Sequence, residues 1–266
     1  MVWEINKDGR TSFLIGTAHF FPCSFRQSLT QLIKNVEAVL FEGPLDESNM
    51  DAVRKYGLEG WQGQSLYEAL DPQTVVELNK ELGGGSQYNE CSLTSFVHIF
   101  AREGHDLLSQ EIEGMRPWMA FFKLWSQYLV RRGWKYSVDL EALSVAKELG
   151  KKIVFLETIE EQLEALDGIP FERIVDYLNN FGKWGQFSRS HKKQYLRGSL
   201  DGLLNITTAF PARCPSIIDH RDPVFFERMR HYIYEGGTAV FLGTTHIRGV
   251  TNMLEKNDFK VTQYIP

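Results

Sequence analysis

Two histidines stand in nearly the same short context at opposite ends of the 266-residue chain. In each, an apolar run leads to glycine, two small residues and histidine: FLIGTAH ends at His19 and VFLGTTH ends at His246. A third apolar run, AVLF, stops at Glu42. Two neutral imidazoles and a carboxylate are a familiar ligand set for a catalytic divalent ion. The pattern therefore indicates metal-assisted chemistry, provided that the fold brings the three side chains together.

The apolar runs before these residues are typical of strands in a parallel sheet. The first run closes a predicted hairpin over residues 2–15, and a stretch with helical spacing, residues 24–37, separates it from the run before Glu42. A strand, a helix and another strand in succession favour a parallel pair. Because ligands of open α/β sheets bind at the carboxyl ends of the strands, we expect the three side chains to meet in one crevice.

The middle of the chain, residues 45–136, has a different character. Its spacing predicts a helix that begins at Pro72, a second around 92–104, and a third over 117–131 that is very rich in aromatic residues. We interpret this part as a helical insertion that forms a wall or lid over the sheet. The whole chain, residues 1–266, is predicted to be a single domain.

Alternation of helix and strand returns after residue 137 and completes the expected fold class. The spacing predicts helices over 138–149, 159–180, 186–209, 223–235 and 247–257, and strands over 151–156, 238–242 and 259–264. The prediction is an α/β protein with a mixed, mainly parallel sheet flanked by helices and carrying a helical insertion.

Composition excludes several classes of function. The net charge of -5 and the lack of a basic stripe argue against nucleic acid or an anionic membrane as a partner. The three cysteines are scattered, which favours a reducing compartment. No apolar run is long enough to span a bilayer. We therefore expect a cytoplasmic protein; the alternative that the sequence begins after a removed signal peptide stays open. The sequence does not predict the oligomeric state.

Two further carboxylates allow alternative interpretations. Glu157 ends the predicted strand 151–156, so that it either enters the same crevice or favours the start of the next helix through the helix dipole. Asp139 lies in the first turn of the predicted helix 138–149, where a carboxylate is stabilising without any chemistry. Whether either belongs to the site is left open.

Longer stretches around these residues resemble the TraB/PrgY/GumN family, which includes the Tiki metalloproteases and is related to the EreA/ChaN-like proteins. The resemblance covers nearly the whole chain and is carried, in order, by LIGTAH, VLFEG, MRPWM, SVDLEALSVAKELGKKIVFLETIEEQLEAL and FLGTTHIRGVTNMLEKNDFKV.

The resemblance implies roles for four residues. His19 and His246 match the family's two Gly-x-x-His histidines, and Glu42 matches its strand-end glutamate; these three would bind a divalent ion, Mn, Co or Zn. The family's arginine, usually in a Glu-Arg-Asn context, matches Arg221, although the flanking residues here are histidine and aspartate. Glu42 and Arg221 would then be catalytic, with Glu42 either a ligand or the general base.

The resemblance implies a metal-dependent hydrolase, a protease or peptidase acting on peptide or protein substrates. One alternative is a non-catalytic iron- or haem-binding or regulatory protein of the ChaN-like type. Another is a metal-free esterase in which a histidine abstracts a proton. Serine hydrolase chemistry is not supported, because the sequence has no Gly-x-Ser-x-Gly motif.

Overall fold

A six-stranded sheet forms the centre of the protein. The computed structural model describes residues 1–58, 60–83 and 107–264. In these ranges the strands are β1 (Val2–Lys7), β2 (Arg10–Thr17), β3 (Ala38–Phe41), β4 (Lys152–Phe155), β5 (Thr238–Gly243) and β6 (Lys260–Tyr264). Their order across the sheet is β4-β3-β5-β2-β1-β6.

The sheet is mixed and mainly parallel, as predicted. Strands β4, β3, β5 and β2 run parallel to one another. Strand β1 pairs antiparallel with β2 and with β6. The α/β class is therefore confirmed, and the carboxyl ends of β2, β3 and β5 open at the same edge.

Helices cover the sheet on both faces. Within the described ranges they are α1 (Arg26–Lys34), α2 (Glu47–Leu58), α3 (Leu66–Ala69), α4 (Pro72–Gly83), α5 (Leu107–Ile112), α6 (Pro117–Arg131), α7 (Val138–Glu148), α8 (Ile159–Asp167), α9 (Phe171–Asn179), α10 (Trp184–Leu196), α11 (Leu200–Ile206), α12 (Arg221–Glu235) and α13 (Thr244–Lys256). None of them has both the length and the apolar character needed to cross a bilayer. The helix predicted around 92–104 lies outside the described residues.

Strands β3 and β5 are buried on both faces, which explains their continuous apolar sequences. Alternate residues of a strand point to opposite faces. Phe41 and Phe241 enter the core that contains helices α6, α9 and α10, while Leu40 and Leu242 enter a second core with α12 and α13. The sheet is thus held rigidly between two apolar layers, and the side chains at its strand ends have a fixed base.

Three helices differ from the sequence-based expectation. The single helices predicted over 159–180 and 186–209 are each two helices. Pro170 breaks the first because a proline cannot donate the backbone hydrogen bond of a continuing helix, and Gly198, with φ of 69°, ends α10. Helix α13 begins at Thr244 rather than after His246, so His246 lies in its first turn.

Candidate active site

Polar side chains from three adjacent strand ends line one cavity. His19 comes shortly after β2, Glu42 directly after β3, and His246 in the helical turn that follows β5. The cavity encloses about 280 Å³, and Arg221, at the start of α12, lines it as well. The expectation that both histidines and Glu42 face a common crevice is met.

Glu42 is held by groups from two other elements. The backbone N–H of Gly243 donates to its Oε1, and Arg221 Nη2 donates to its Oε2 at 2.9 Å. A Cβ at position 243 would stand 3.1 Å from Oε1, so glycine permits this close approach. Burial works to raise the pKa of Glu42, but the neighbouring charges of His246, Arg221 and His19 lower it to about 2. Glu42 is therefore a carboxylate at neutral pH.

Arg221 joins two buried carboxylates. Its Nε donates to Glu157 Oε2 at 2.8 Å, and its Nη2 donates to Glu157 Oε1 at 2.6 Å as well as to Glu42. The Arg221 side chain is 12% exposed and that of Glu157 is 1% exposed, so this ion pair does not lie on the protein surface. The start of α8 is capped instead by Thr158 and Glu161. Glu157 thus positions Arg221, which sequence reasoning left open.

His246 is oriented by a buried aspartate. Its Nδ1 lies 2.6 Å from Asp222 Oδ1, and both residues are almost fully buried. A neutral imidazole that donates from Nδ1 has an unprotonated Nε2, and this atom lies 3.8 Å from Glu42 Oε1. Gly249, one helical turn further along α13, makes room for the aspartate, because a Cβ there would stand 1.7 Å from Asp222 Oδ2.

Replacing Gly249 with alanine should force Asp222 away from His246. The Asp222 carboxylate is buried, so losing its contact with His246 should lower the free energy of unfolding by about 1–3 kcal/mol, the cost of a buried polar group that loses its partner. Urea denaturation would measure it. Gly182→Ala is the matched control, since a Cβ there meets its nearest neighbour at an ordinary 3.9 Å. Equal stability of the Gly249→Ala and wild-type proteins would contradict the packing described.

His19 has the same kind of partner from a different helix. Its Nδ1 lies 3.0 Å from Oδ2 of Asp139, which stands buried in the first turn of α7. The N–H of Val138 donates to the Ala18 carbonyl at 3.1 Å, which sets this helix against the loop of His19. The negative charge of the Asp139 carboxylate raises the pKa of His19 to about 9. The His19 side chain is 67% exposed, so a ligand in the cavity can reach it.

Comparison with known proteins identifies the family of the chain. The family model for the TraB/PrgY/gumN family matches residues 1–263. The chain belongs to the TraB/PrgY/gumN family. No curated protein matched the chain. Membership of the TraB/PrgY/gumN family does not by itself define the reaction, which depends on the chemistry of the residues in the cavity.

The aspartate partners of the two histidines were not found by sequence reasoning. The sequence leaves open whether Asp139 belongs to the site, and it marks Asp222 only as a residue that differs from the asparagine expected after the arginine. A usable signal was present: each aspartate lies in the first turn of its helix, where a side chain points toward the strand-end edge. Which histidine each aspartate contacts depends on how the helices pack, and no local sequence pattern predicts this packing.

The wall of the cavity opposite the sheet is largely apolar. It includes Phe122 and Trp125 of α6, the helix predicted to form a wall or lid. His191 of α10 also lines it, although the sequence offered no paired context for that histidine, and burial lowers its pKa to about 4. The site thus combines a charged floor at the strand ends with an aromatic wall.

Proposed function

We propose that the protein is a metal-dependent hydrolase, with peptide bonds as its favoured substrate class. The observation that carries the proposal is the repeated aspartate–histidine pair in one cavity: His19 with Asp139 and His246 with Asp222. Histidines that bind a metal ion almost always donate their other ring N–H to a carboxylate, carbonyl or water, which fixes the ring and the tautomer. His19 and His246 both have this partner at Nδ1, which leaves Nε2 as the ligand atom of each; at His19, metal binding would displace the proton that the Asp139 carboxylate favours on the ring.

The donor set agrees with a divalent ion by its chemistry. Nε2 of His246 and Oε1 of Glu42 are 3.8 Å apart, and His19 lines the same cavity with an exposed ring. Within the described ranges, no three His, Cys, Asp or Glu side chains are already gathered as a complete ligand group. Of the three side chains, that of His19 is the most exposed, at 67% against 14% for Glu42 and 2% for His246, so it is the one most open to an ion entering the cavity. When bound, the ion would acidify water and polarise a carbonyl.

The protein's own residues have separable tasks in this proposal. Glu42 would either hold the ion or accept a proton from the attacking water, and its low pKa supports an anionic form in both roles. Arg221 would stabilise negative charge that develops on the substrate carbonyl oxygen, since Glu157 fixes its guanidinium at the edge of the cavity. Asp139 and Asp222 would keep the two imidazoles oriented.

Metal removal tests the proposal directly. Protein dialysed against a chelator should lose hydrolysis of a fluorogenic peptide library, and Mn²⁺, Co²⁺ or Zn²⁺ should restore it. The replacement His231→Ala, at an exposed histidine of α12 outside the cavity, is the control for non-specific metal effects and should behave as wild type. Hydrolysis that is unchanged after complete metal removal would contradict the proposal.

A metal-free hydrolase is the second candidate, favoured by the position of Arg221. Its Nη1 lies 3.4 Å from His246 Nε2, so a cation already stands beside the nitrogen that would bind the ion. In that case the chelated protein would keep its full turnover. A haem-binding protein is less favoured, because about 280 Å³ is at the small end for pockets that hold even drug-sized ligands. An absorbance spectrum without a Soret band would agree with either hydrolase.

A further inference from the structure

Arg213 is a cavity residue that no part of the proposed chemistry uses. It lies between α11 and α12, is half-buried, and lines the cavity beside the first turn of α13. Its Nη1 donates to the hydroxyl of Thr245 at 3.0 Å and to the carbonyl of the same residue at 3.3 Å. In the part of the chain that the structure describes, no carboxylate lies within ion-pair distance of Arg213, whereas Arg221 has two.

The carboxylates of the cavity region are engaged elsewhere. Asp139 and Asp222 each bind a histidine, and Glu42 and Glu157 share Arg221. Burial and the nearby Arg173 lower the pKa of Arg213, and the charge of Asp222, which lies beyond ion-pair distance, only partly offsets them. A half-buried cation of this kind is stabilised by a paired anion, and none of the described residues around Arg213 forms an ion pair with it.

Two further features of the cavity lining supply hydrogen-bond donors beside Arg213 and Thr245. The hydroxyl of Thr17, a residue only 2% exposed, lines the cavity and has no partner among the described residues. Helix α13 starts in the cavity wall with no side-chain cap and no acidic residue in its first turn. The N-terminus of a helix carries partial positive charge and unpaired N–H groups. All three features favour a bound anion.

The wall next to these donors is apolar. Phe210 and Ala212 come shortly before Arg213 in the chain and line the cavity with it, as do Phe122, Trp125 and Ile217. Such a wall binds an aliphatic or aromatic group by removing it from water. A ligand that fits both features carries its negative charge close to a large apolar group.

We propose that the cavity binds a free carboxylate attached to a large apolar group, and that Arg213 recognises the carboxylate. If the proposed hydrolase function is right, on which this substrate assignment rests, the substrates are short peptides whose free carboxylate neighbours a large apolar residue. Arginine suits this role because its planar guanidinium group can donate two parallel hydrogen bonds to the two carboxylate oxygens.

Equilibrium binding to the full chain tests the recognition without any need for turnover. The probes are N-acetyl-phenylalanine, its amide, and N-acetyl-aspartyl-phenylalanine amide, in which the carboxylate belongs to a side chain. We expect a carboxylate-bearing probe to bind about 10- to 100-fold more tightly than the amide that lacks one, the effect of a charge-assisted hydrogen bond. The two acids distinguish a terminal carboxylate from a side-chain carboxylate.

Variants then assign the preference to one residue. Arg213→Gln should abolish the difference between acid and amide, and Arg213→Lys should retain part of it, because lysine keeps the charge and loses the fork. Arg248→Gln is the matched control: Arg248 is a half-exposed arginine of α13 that lies outside this cavity, with Asp201 as its partner. Circular dichroism and melting curves would show whether each variant is folded. If Arg213→Gln does not fold, the comparison of acid and amide binding is made with Arg213→Lys.

The outcomes separate this inference from the hydrolase proposal. Arg213-dependent preference for an acid supports the inference even if no peptide is hydrolysed, in which case the hydrolase proposal alone fails. Equal binding of acids and amide by the wild type, or a preference that survives in Arg213→Gln, would overturn the inference. If peptides are cleaved equally well with a free and an amidated carboxyl group, the substrate assignment is overturned while the hydrolase proposal stands.

Discussion

Replacing Glu42 with glutamine is expected to reduce peptide hydrolysis by about 10²- to 10⁴-fold, the usual contribution of a positioned acid–base group. Glutamine keeps the shape of the side chain and its acceptor oxygen for the Gly243 N–H, but it removes the negative charge. Arg221 would still be paired with Glu157, so the fold should persist. Turnover of the folded variant, measured with the best peptide substrate, gives the effect.

Metal affinity of the same variant separates the two roles of Glu42. If Glu42 is the general base, Glu42→Gln should bind Mn²⁺ nearly as the wild type does, and if it is a ligand, the affinity should fall together with turnover. Calorimetric titration distinguishes these cases. Glu160→Gln, at an exposed position of α8 outside the cavity, is the matched control and should change neither quantity. Normal metal binding with normal turnover would remove Glu42 from the site.

Arg221→Met should produce the largest loss of stability among single changes at the site. Methionine leaves two buried carboxylates, Glu42 and Glu157, without their common cation, and removing one partner of a buried ion pair costs about 3–5 kcal/mol. Urea denaturation of the metal-free protein at neutral pH would measure the change. Arg230→Met, a half-exposed arginine on the same helix whose ion pair is at the surface, should cost no more than about 1 kcal/mol.

The loss in Arg221→Met should depend on pH with a definite sign. Burial already raises the pKa of Glu157 above its ordinary value, against the opposing effect of Arg221. Without Arg221 the folded state would bind a proton at Glu157 more readily than the unfolded state does, so stability would increase as the pH falls from neutral toward the ordinary pKa of glutamate. The deficit relative to wild type should therefore shrink at mildly acidic pH. An equal deficit at every pH would show that lost packing, rather than unpaired charge, is responsible.

The site residues predicted from the strand pattern were those that follow strands, whereas Arg221, at the start of α12, was indicated only by the family resemblance. Glu42 and His246 follow apolar runs whose identity as central strands is clear, because only strands buried on both faces have such continuous apolar sequence. Parallel strands then deliver their ends to one edge. For this reason the sheet, its mainly parallel order and the meeting of His19 with the other two side chains could be predicted without coordinates.

Side-chain contacts that depend on how the helices pack could not be predicted in the same way. The pairing of Asp139 with His19 depends on how the start of α7 docks beside the loop after β2, and local spacing does not encode that docking. The position of Arg213 was even less predictable from the sequence, since this residue lies in an irregular connection and reaches the cavity only through the packing of α13. The break before Pro170, in contrast, had a local signal in the proline itself.

Anomalous diffraction from crystals of the protein grown with Mn²⁺ tests the central claim most directly. We expect one strong manganese peak in the cavity, about 2.0–2.3 Å from Nε2 of His19 and of His246, distances typical of divalent first-row ions with imidazole and oxygen ligands. His19 should keep the contact of its Nδ1 with Asp139. The contradicting result is a cavity that holds no manganese in crystals grown at a saturating Mn²⁺ concentration, whether the ion is bound by other residues or not at all. That result would show that these two histidines do not form a metal site.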